Sequence, residues 1–497
     1  MSISFDEIPY DWLAPGTFVE VKPNYRTLGI LPYPTKNLII GQKLAAGTIT
    51  VGSIVEITRP EEAIALFGAG SIGAKQVAAF RLANKTQALF VTAMADAGGA
   101  VKATGLFTFT GAVSVAIVLR FLVGGRQIRI TALSTDTVTT LATKLAAAIN
   151  ADTDCEVTAT SALGVVTCTA RHGGEVGNDI DLRVDVARQP LPSGLAVAVT
   201  DMNSGTGNPV LQTALDLLAN TWFTHISWPW SDATNMAAAD VWLKSRYTAM
   251  TKMDAFGYVA KRATYGQAGT FGALTNCPQL TALALKRSPT SSWSISAAVH
   301  GLAAFQLTND PARQLRSLVV PGVIAPDFPD QFTDTENDLL LRTGISTFDH
   351  LADGTTVISR LITTYKQSNL GIADRSWLDV MVAATMSRIR YDWAAYVTLL
   401  YPRAKLIDDE DSAAFVGRDD TDEDVGNSVV SPRRMHASWA GRCALYAEKV
   451  WIEGITETIK QSTFERDGDD RNRMDARQQV RIVGNLMVLA ASLEFQV

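Results

Sequence analysis

Between residues 206 and 310 short apolar runs alternate with amphipathic helical stretches, and this alternation narrows the choice of fold more than any other feature of the chain. Leu215, Leu218 and Trp222 mark a helix, and a strand-like run follows at 223–228. Met236, Leu243, Tyr247 and Met250 mark the next helix; runs at 255–260 and 279–285 precede a helix carrying Ile295, Val299 and Leu302. Strands separated by helices line up in parallel, with the crossovers lying on the sheet faces. The expected fold is α/β, with a doubly covered, mostly parallel sheet.

Residues 36–97 have the same texture. NLIIGQ (37–42) and ALFVTAM (88–94) read as buried strands. Arg59-Pro60-Glu61-Glu62 opens a helix, because proline is tolerated in the first turn and acids suit its positive end. Residues 74–84 read as a second helix.

From 98 to 205 the texture changes. Gly, Thr, Val and Ala dominate, and strand-like runs recur at 105–110, 113–123, 126–133, 155–161, 164–170 and 179–186. Gly124-Gly125 predicts a hairpin. Val138, Leu141, Leu145 and Ile149 form one apolar helical stripe. This segment reads as a mostly-β domain inserted into the α/β domain, with 191–209 as its exit linker. Further on, Asp353-Gly354 predicts another hairpin. Residues 376–401 predict a helix with Leu378, Val382, Ile389, Trp393 and Leu400 on one stripe, and 435–460 reads as mixed helix and strand.

Both ends read as extended arms. In residues 1–22, Ile3 and Phe5 alternate with polar neighbours, and Pro15-Gly16 turns the chain before Phe18, Val19 and Val21. Residues 486–497 read as an apolar strand, with Leu489, Leu493, Phe495 and Val497 on one side and Leu486 and Val488 on the other. Twelve extended residues reach about 40 Å. Isolated strands cannot bury both faces, so each needs a partner sheet. The polar stretches 22–27 and 465–478 read as tethers.

Composition excludes several classes. Of 497 residues 47% are apolar and 19% charged, which rules out wholesale disorder. A net charge of −6 is a poor balance for holding bare nucleic acid. The longest apolar stretches, 112–123 and 486–493, fall short of the roughly 18–20 residues a bilayer helix needs, so membrane insertion is not expected. The opening MSISFDEIPYDW lacks the basic and apolar regions of a secretory signal. Cys155, Cys168, Cys277 and Cys443 are scattered, with neither CxxC pairs nor zinc spacing.

The sharpest chemical motif is Gly68-x-Gly70-x-x-Gly73. A dinucleotide site needs a strand directly before these glycines, so that the helix N-terminus meets the pyrophosphate. The residues before them, PEEAIALF, read as a helix, and the expected acid about 20 residues on is missing, so a helix–loop–helix connection is the better reading. A nucleotide-dependent enzyme using Gly68–Gly73 is the alternative function. His172, His225, His300, His350 and His436 lie far apart with no nucleophile elbow, and no catalytic residue, cofactor or metal is expected. Asp420, Asp422 and Asp424 resemble a calcium loop, but the glycine is displaced to Gly426 and no closing glutamate follows. They belong to an acidic run, 408–424, with nine acids against one arginine. It reads as a solvated loop able to face a basic partner surface.

Several pieces together resemble contractile phage tail sheath proteins, most closely the Mu-like ones. PGTFVEV (15–21) is similar to their opening strand. Residues 39–84 are similar to the sheath order of strand, loop, short helix ending in FG-x-GS, and helix ending in AN. The insertion with INA (149–151) and GGEVGNDIDL (173–182), the helix opening DRSWLDVM (374–381) and the apolar terminal strand are similar too.

The resemblance implies a non-enzymatic structural subunit, with stacked hexameric rings in a helical polymer around a tail tube. Contraction would drive the tube through a bacterial envelope for genome ejection. It also implies a subtilisin-like core facing inward, an outward insertion, and arms that add strands to neighbouring subunits. The implied layout is an arm (1–22), a discontinuous core (23–97 and 206–464), the insertion (98–205) and a linker-and-strand arm (465–497). Inter-subunit contacts would fall on Ile3, Phe5, Phe18, Val19, Val21, Leu486, Val488, Leu489, Leu493, Phe495 and Val497. Asp379, Arg388 and Arg390 mark a candidate tube-facing helix. Implied partners are other copies of the chain, the tube, the baseplate and the tail terminator, with no direct nucleic acid. The implied location is the virion, after assembly in the host cytoplasm. Another tail or baseplate component is a further alternative.

Overall fold

Strand β1 (Asn37–Gln42) is buried at all six positions. Leu38 and Ile40 join one hydrophobic cluster and Ile39 another, so both faces of the strand are packed. β1 is followed by β2 (Ile54–Ile57), helix α1 (Pro60–Phe67), helix α2 (Ile72–Ala83) and β3 (Leu89–Met94). Pro60 occupies the first turn of α1 with Glu61 and Glu62 beside it. Ser71 caps α2, its hydroxyl accepting the Ala74 N–H.

The next segment holds β4 (Lys102–Gly111), β5 (Ile117–Val123), β6 (Arg126–Ala132), α3 (Val138–Ala151), β7 (Val157–Ala162), β8 (Val165–Gly173), β9 (Leu182–Val184) and β10 (Leu195–Asn203). These strands form two antiparallel sheets, ordered β10-β4-β8-β7 and β6-β5-β9. Val123 pairs with Arg126 across Gly124-Gly125, both glycines having positive φ. Leu141, Leu145 and Ile149 of α3 are buried. The expected exit linker is a correction: Leu195–Thr200 pairs with Gly111–Leu106 along β4. β10 is an edge strand with most positions exposed, and its flanking Pro, Gly and Ser residues hide it in the sequence.

Then come α4 (Leu211–Leu217), β11 (His225–Ser227), α5 (Ala233–Arg246), β12 (Phe256–Arg262), α6 (Tyr265–Ala273), β13 (Leu280–Leu285), α7 (Ser292–Asn309), β14 (Val319–Ile324), α8 (Asp334–Arg342), β15 (Ile345–His350), β16 (Thr355–Arg360) and α9 (Val380–Leu400). The large sheet has nine strands in the order β14-β16-β15-β13-β12-β11-β1-β3-β2. From β15 to β3 every pairing is parallel; β2 on one side and β16 and β14 on the other are antiparallel. The fold is thus mixed α/β. Gly354, with φ +82°, turns β15 into β16.

Two helices end earlier than their apolar stripes suggest. Trp222 lies beyond α4 and donates its indole N–H to the Asp254 carbonyl, while Met250 lies beyond α5 and is 90% exposed. α9 begins at Val380, four residues later than the start predicted at 376.

The computed structural model describes residues 15–17, 29–410 and 429–494. The chain divides into two units. One comprises Tyr33–Tyr391 and Ile482–Val497, the other Met1–Pro32 and Asp392–Arg481. The smaller unit contains helices Pro432–Glu448 and Ile455–Gln461, where mixed helix and strand were expected. Trp439 packs edge-on against Trp393, and Tyr446 stacks on Trp451. The expected tether 465–478 is also a correction: Thr463–Arg466 and Met474–Arg477 form an antiparallel hairpin. The tether 22–27 and most of the acidic run lie outside the described residues.

Candidate assembly site

The glycine cluster is a packing device. α1 directly precedes it, Gly68 and Gly70 have positive φ, and Ser71 starts α2. A Cβ on Gly73 would sit 2.2 Å from the Phe67 ring, and one on Gly41 would sit 2.6 Å from Gly73 Cα. These glycines therefore let α2 lie directly on β1, and their space is already filled by protein.

The histidines are engaged in local packing. His172 Nδ1 lies 2.9 Å from Asp96 Oδ1, and its Nε2 accepts the Ile72 N–H at 3.2 Å. The proton therefore sits on Nδ1, and the lone pair a general base would need is already taken. His225 and His300 are buried; burial pushes His225 down to about 3 and His300 well below its ordinary value. His225 Nδ1 meets the Tyr258 hydroxyl at 3.0 Å, and His300 bridges Ser227 and Asn37. His350 contacts Thr356, and His436 the carbonyl of Ile459. Among the described residues no cluster of His, Cys, Asp or Glu could hold a metal ion, and no helix is long and apolar enough to cross a membrane. Clefts of about 550 and 510 Å³ lie beside Asp96 and beside Arg262.

The carboxyl-terminal segment is tied into the larger unit by a built root. Ile482 packs on a core cluster of that unit. Asn485 accepts the Gln314 N–H at 3.3 Å and donates to the Ala312 carbonyl at 3.1 Å and to the Met381 thioether. Arg316 donates to the Met487 carbonyl at 2.9 Å. Within and beyond this root, Leu486, Val488, Leu489 and Leu493 are 78–97% exposed. Of the strand expected over 486–497, the described residues 486–494 have no regular secondary structure. A strand needs ladder partners, and sequence alone cannot say whose they are. Phe495 and Val497, like Ile3, Phe5, Phe18, Val19 and Val21, lie outside the described residues.

The three charged residues of the candidate tube-facing helix are engaged within the chain. Asp379 accepts two bonds from Arg360, both 2.9 Å, and one from the Gln314 amide. The Arg388 guanidinium lies over the Tyr33 ring. Arg390 pairs with Asp254, donates to the Tyr247 carbonyl and covers the Tyr247 ring. Sequence spacing missed these partners, because Arg390 and Asp254 are 136 residues apart.

The fold is a mixed α/β body with a β-rich segment, and Leu486, Val488, Leu489 and Leu493 form an exposed apolar stretch near its carboxyl-terminal end. The chain is 30% identical over 500 residues to the Mu-like prophage FluMu tail sheath protein of Haemophilus influenzae, covering all of both sequences. It belongs to the tail sheath protein family, as the motif order 39–84 and the ends suggested. No family model matches it. Among solved structures it is similar to a sheath tail protein from Desulfitobacterium hafniense (10% identity, 94% of this chain and all of that one, TM-score 0.48). It is also similar to a sheath tail protein from Listeria innocua (12% identity, 93% of each, TM-score 0.47).

Proposed function

We propose that this chain is the structural, non-enzymatic subunit of a contractile phage-type tail sheath. It polymerises as stacked hexameric rings around a tail tube, with the baseplate and tail terminator at the ends. Contraction drives the tube through a bacterial envelope for genome ejection. The observation that carries this reading is the full-length identity to a tail sheath protein. The subunit is built in the host cytoplasm and ends as part of the virion. The large sheet forms a doubly covered core, and residues 98–205 form an inserted domain facing outward.

The two ends supply the joints. Leu486, Val488, Leu489, Leu493, Phe495 and Val497 add a strand to a neighbour, as do Ile3, Phe5, Phe18, Val19 and Val21 at the other end. Strand addition gives backbone hydrogen bonds, and alternate side chains give specificity. With Asp379, Arg388 and Arg390 committed to partners in their own chain, their part in a tube contact is to set the posture of α9. Negative-stain microscopy of the purified full chain, beside a deletion of 486–497, tests the reading. Long hollow tubes from the full chain and folded monomer from the deletion support it. Normal tubes from the deletion overturn the arm model, and a monomer that binds NAD or ATP saturably revives the enzyme alternative.

A further inference from the structure

Within the smaller unit two charges are removed from water at one point. Asp392 is fully buried and Arg442 is 2% exposed. Burying such a pair costs desolvation that its attraction repays only with good geometry and filled hydrogen-bonding capacity. Both conditions hold here. Asp392 Oδ2 accepts from Arg442 Nε at 3.0 Å and from the Tyr446 hydroxyl at 2.5 Å, and Oδ1 accepts from Arg442 Nη2 at 2.6 Å. The guanidinium also lies over the rings of Tyr396 and Tyr446.

What sets this pair apart is what else it holds. Asp392 Oδ1 accepts the backbone N–H of Leu31 at 2.7 Å. Arg442 Nη1 and Nη2 both donate to the carbonyl of Gly29 at 3.2 Å. The two ends of one ion pair thus bracket three residues that belong to no strand or helix. Apolar side chains of similar volume could hold the two helices together at comparable stability, but they could not grip a carbonyl and an N–H. The feature that ionic groups add at this place is position along the backbone.

We propose that Asp392, Arg442 and Tyr446 form the anchor of the amino-terminal arm, gripping Gly29–Leu31 so that tension on the arm passes into helices Val380–Leu400 and Pro432–Glu448. This rests on the reading of residues 1–22 as an inter-subunit arm. The three are positioning residues: none contacts the neighbour, and each acts by fixing where the arm begins.

The test compares four variants with the wild type: a deletion of 1–22 and, in the full-length chain, the apolar exchange Asp392→Leu with Arg442→Met, Tyr446→Phe, and Arg442→Lys. Each is measured for monomer folding by size exclusion and circular dichroism, for amide exchange at 29–31 and in β1, and for tube yield by sedimentation. The expected apolar exchange is a folded monomer with at least tenfold faster exchange at 29–31, unchanged exchange in β1, and at least tenfold fewer tubes. Tyr446→Phe, which keeps shape and loses one hydrogen bond, gives a smaller change of the same sign. Arg442→Lys, which keeps the charge and loses the fork, gives fewer tubes than the wild type. If deleting 1–22 abolishes tubes while Tyr446→Phe and the apolar exchange assemble like wild type, the anchor is overturned and the arm stands. If deleting 1–22 leaves tubes normal, the arm reading falls and the anchor falls with it.

Discussion

Asn485 and Asp379 are joined through one residue: Gln314 donates its backbone N–H to Asn485 and its side-chain amide to Asp379. The root of the carboxyl-terminal segment is therefore wired to the start of α9. Asn485→Ala removes the side-chain bonds to Gln314 and Ala312 and should loosen 482–487 by roughly 1–3 kcal/mol. Hydrogen exchange should rise there while exchange in β12 and β13 stays unchanged. Equal acceleration everywhere would mean that Asn485 supports the whole unit.

Exposed apolar residues beyond the root should matter to assembly and not to folding. Leu489→Asp and Leu493→Asp each sit at exposed positions, so melting temperature should stay within about 1–2 °C of wild type, surface changes being worth under about 0.5 kcal/mol. Tube yield should fall sharply, and Phe495→Asp should do the same. Neutralising Asp419 and Asp420 in the acidic run should have the smaller effect. The reverse ranking, measured by sedimentation, would move the joint away from the terminal segment.

The buried histidines give stability a direction in pH. His225 and His300 are neutral when folded because burial lowers their proton affinity. The contribution is complete above the unfolded value near 6.5 and is lost as pH falls toward the folded value. At pH 5 the His225 term alone costs about 2 kcal/mol relative to pH 7. Denaturant midpoints at pH 7, 6 and 5 should fall in that order. His225→Gln should flatten the trend even where it lowers stability at pH 7. A flat wild-type profile would contradict a buried neutral pair.

The glycine cluster makes a separate prediction. Gly73→Ala drives a methyl into the Phe67 ring and should destabilise by roughly 1–3 kcal/mol, the range for overpacking. Calorimetry with NAD or ATP should give no saturable heat for wild type or variant. Saturable binding lost in Gly73→Ala would restore the nucleotide reading.

Parallel strands were legible because burial on both faces writes continuous apolar runs, as in NLIIGQ and LTALAL. The helix–loop–helix at Gly68–Gly73 was legible from Pro60 and its two glutamates. β10 was not, since an edge strand with exposed positions carries little burial signal. The hairpin at 463–477 was hidden by crowded charges of both signs. The Asp392–Arg442 pair was invisible for a different reason: fifty residues separate its members, and its third partner, Leu31, lies 361 residues from Asp392. Long-range polar contacts leave no periodic trace. The resemblance to tail sheaths survived because it rested on the order of many weak features rather than on any single one.

The exposed end beyond Met487 turns supply into a control variable. A subunit whose body has folded still carries a greasy end, and two such ends meet at random as readily as in register. Orderly growth then depends on a template consuming subunits faster than stray collisions do. Producing the chain ahead of its growth point should yield tangles, and slowing its synthesis should favour straight particles.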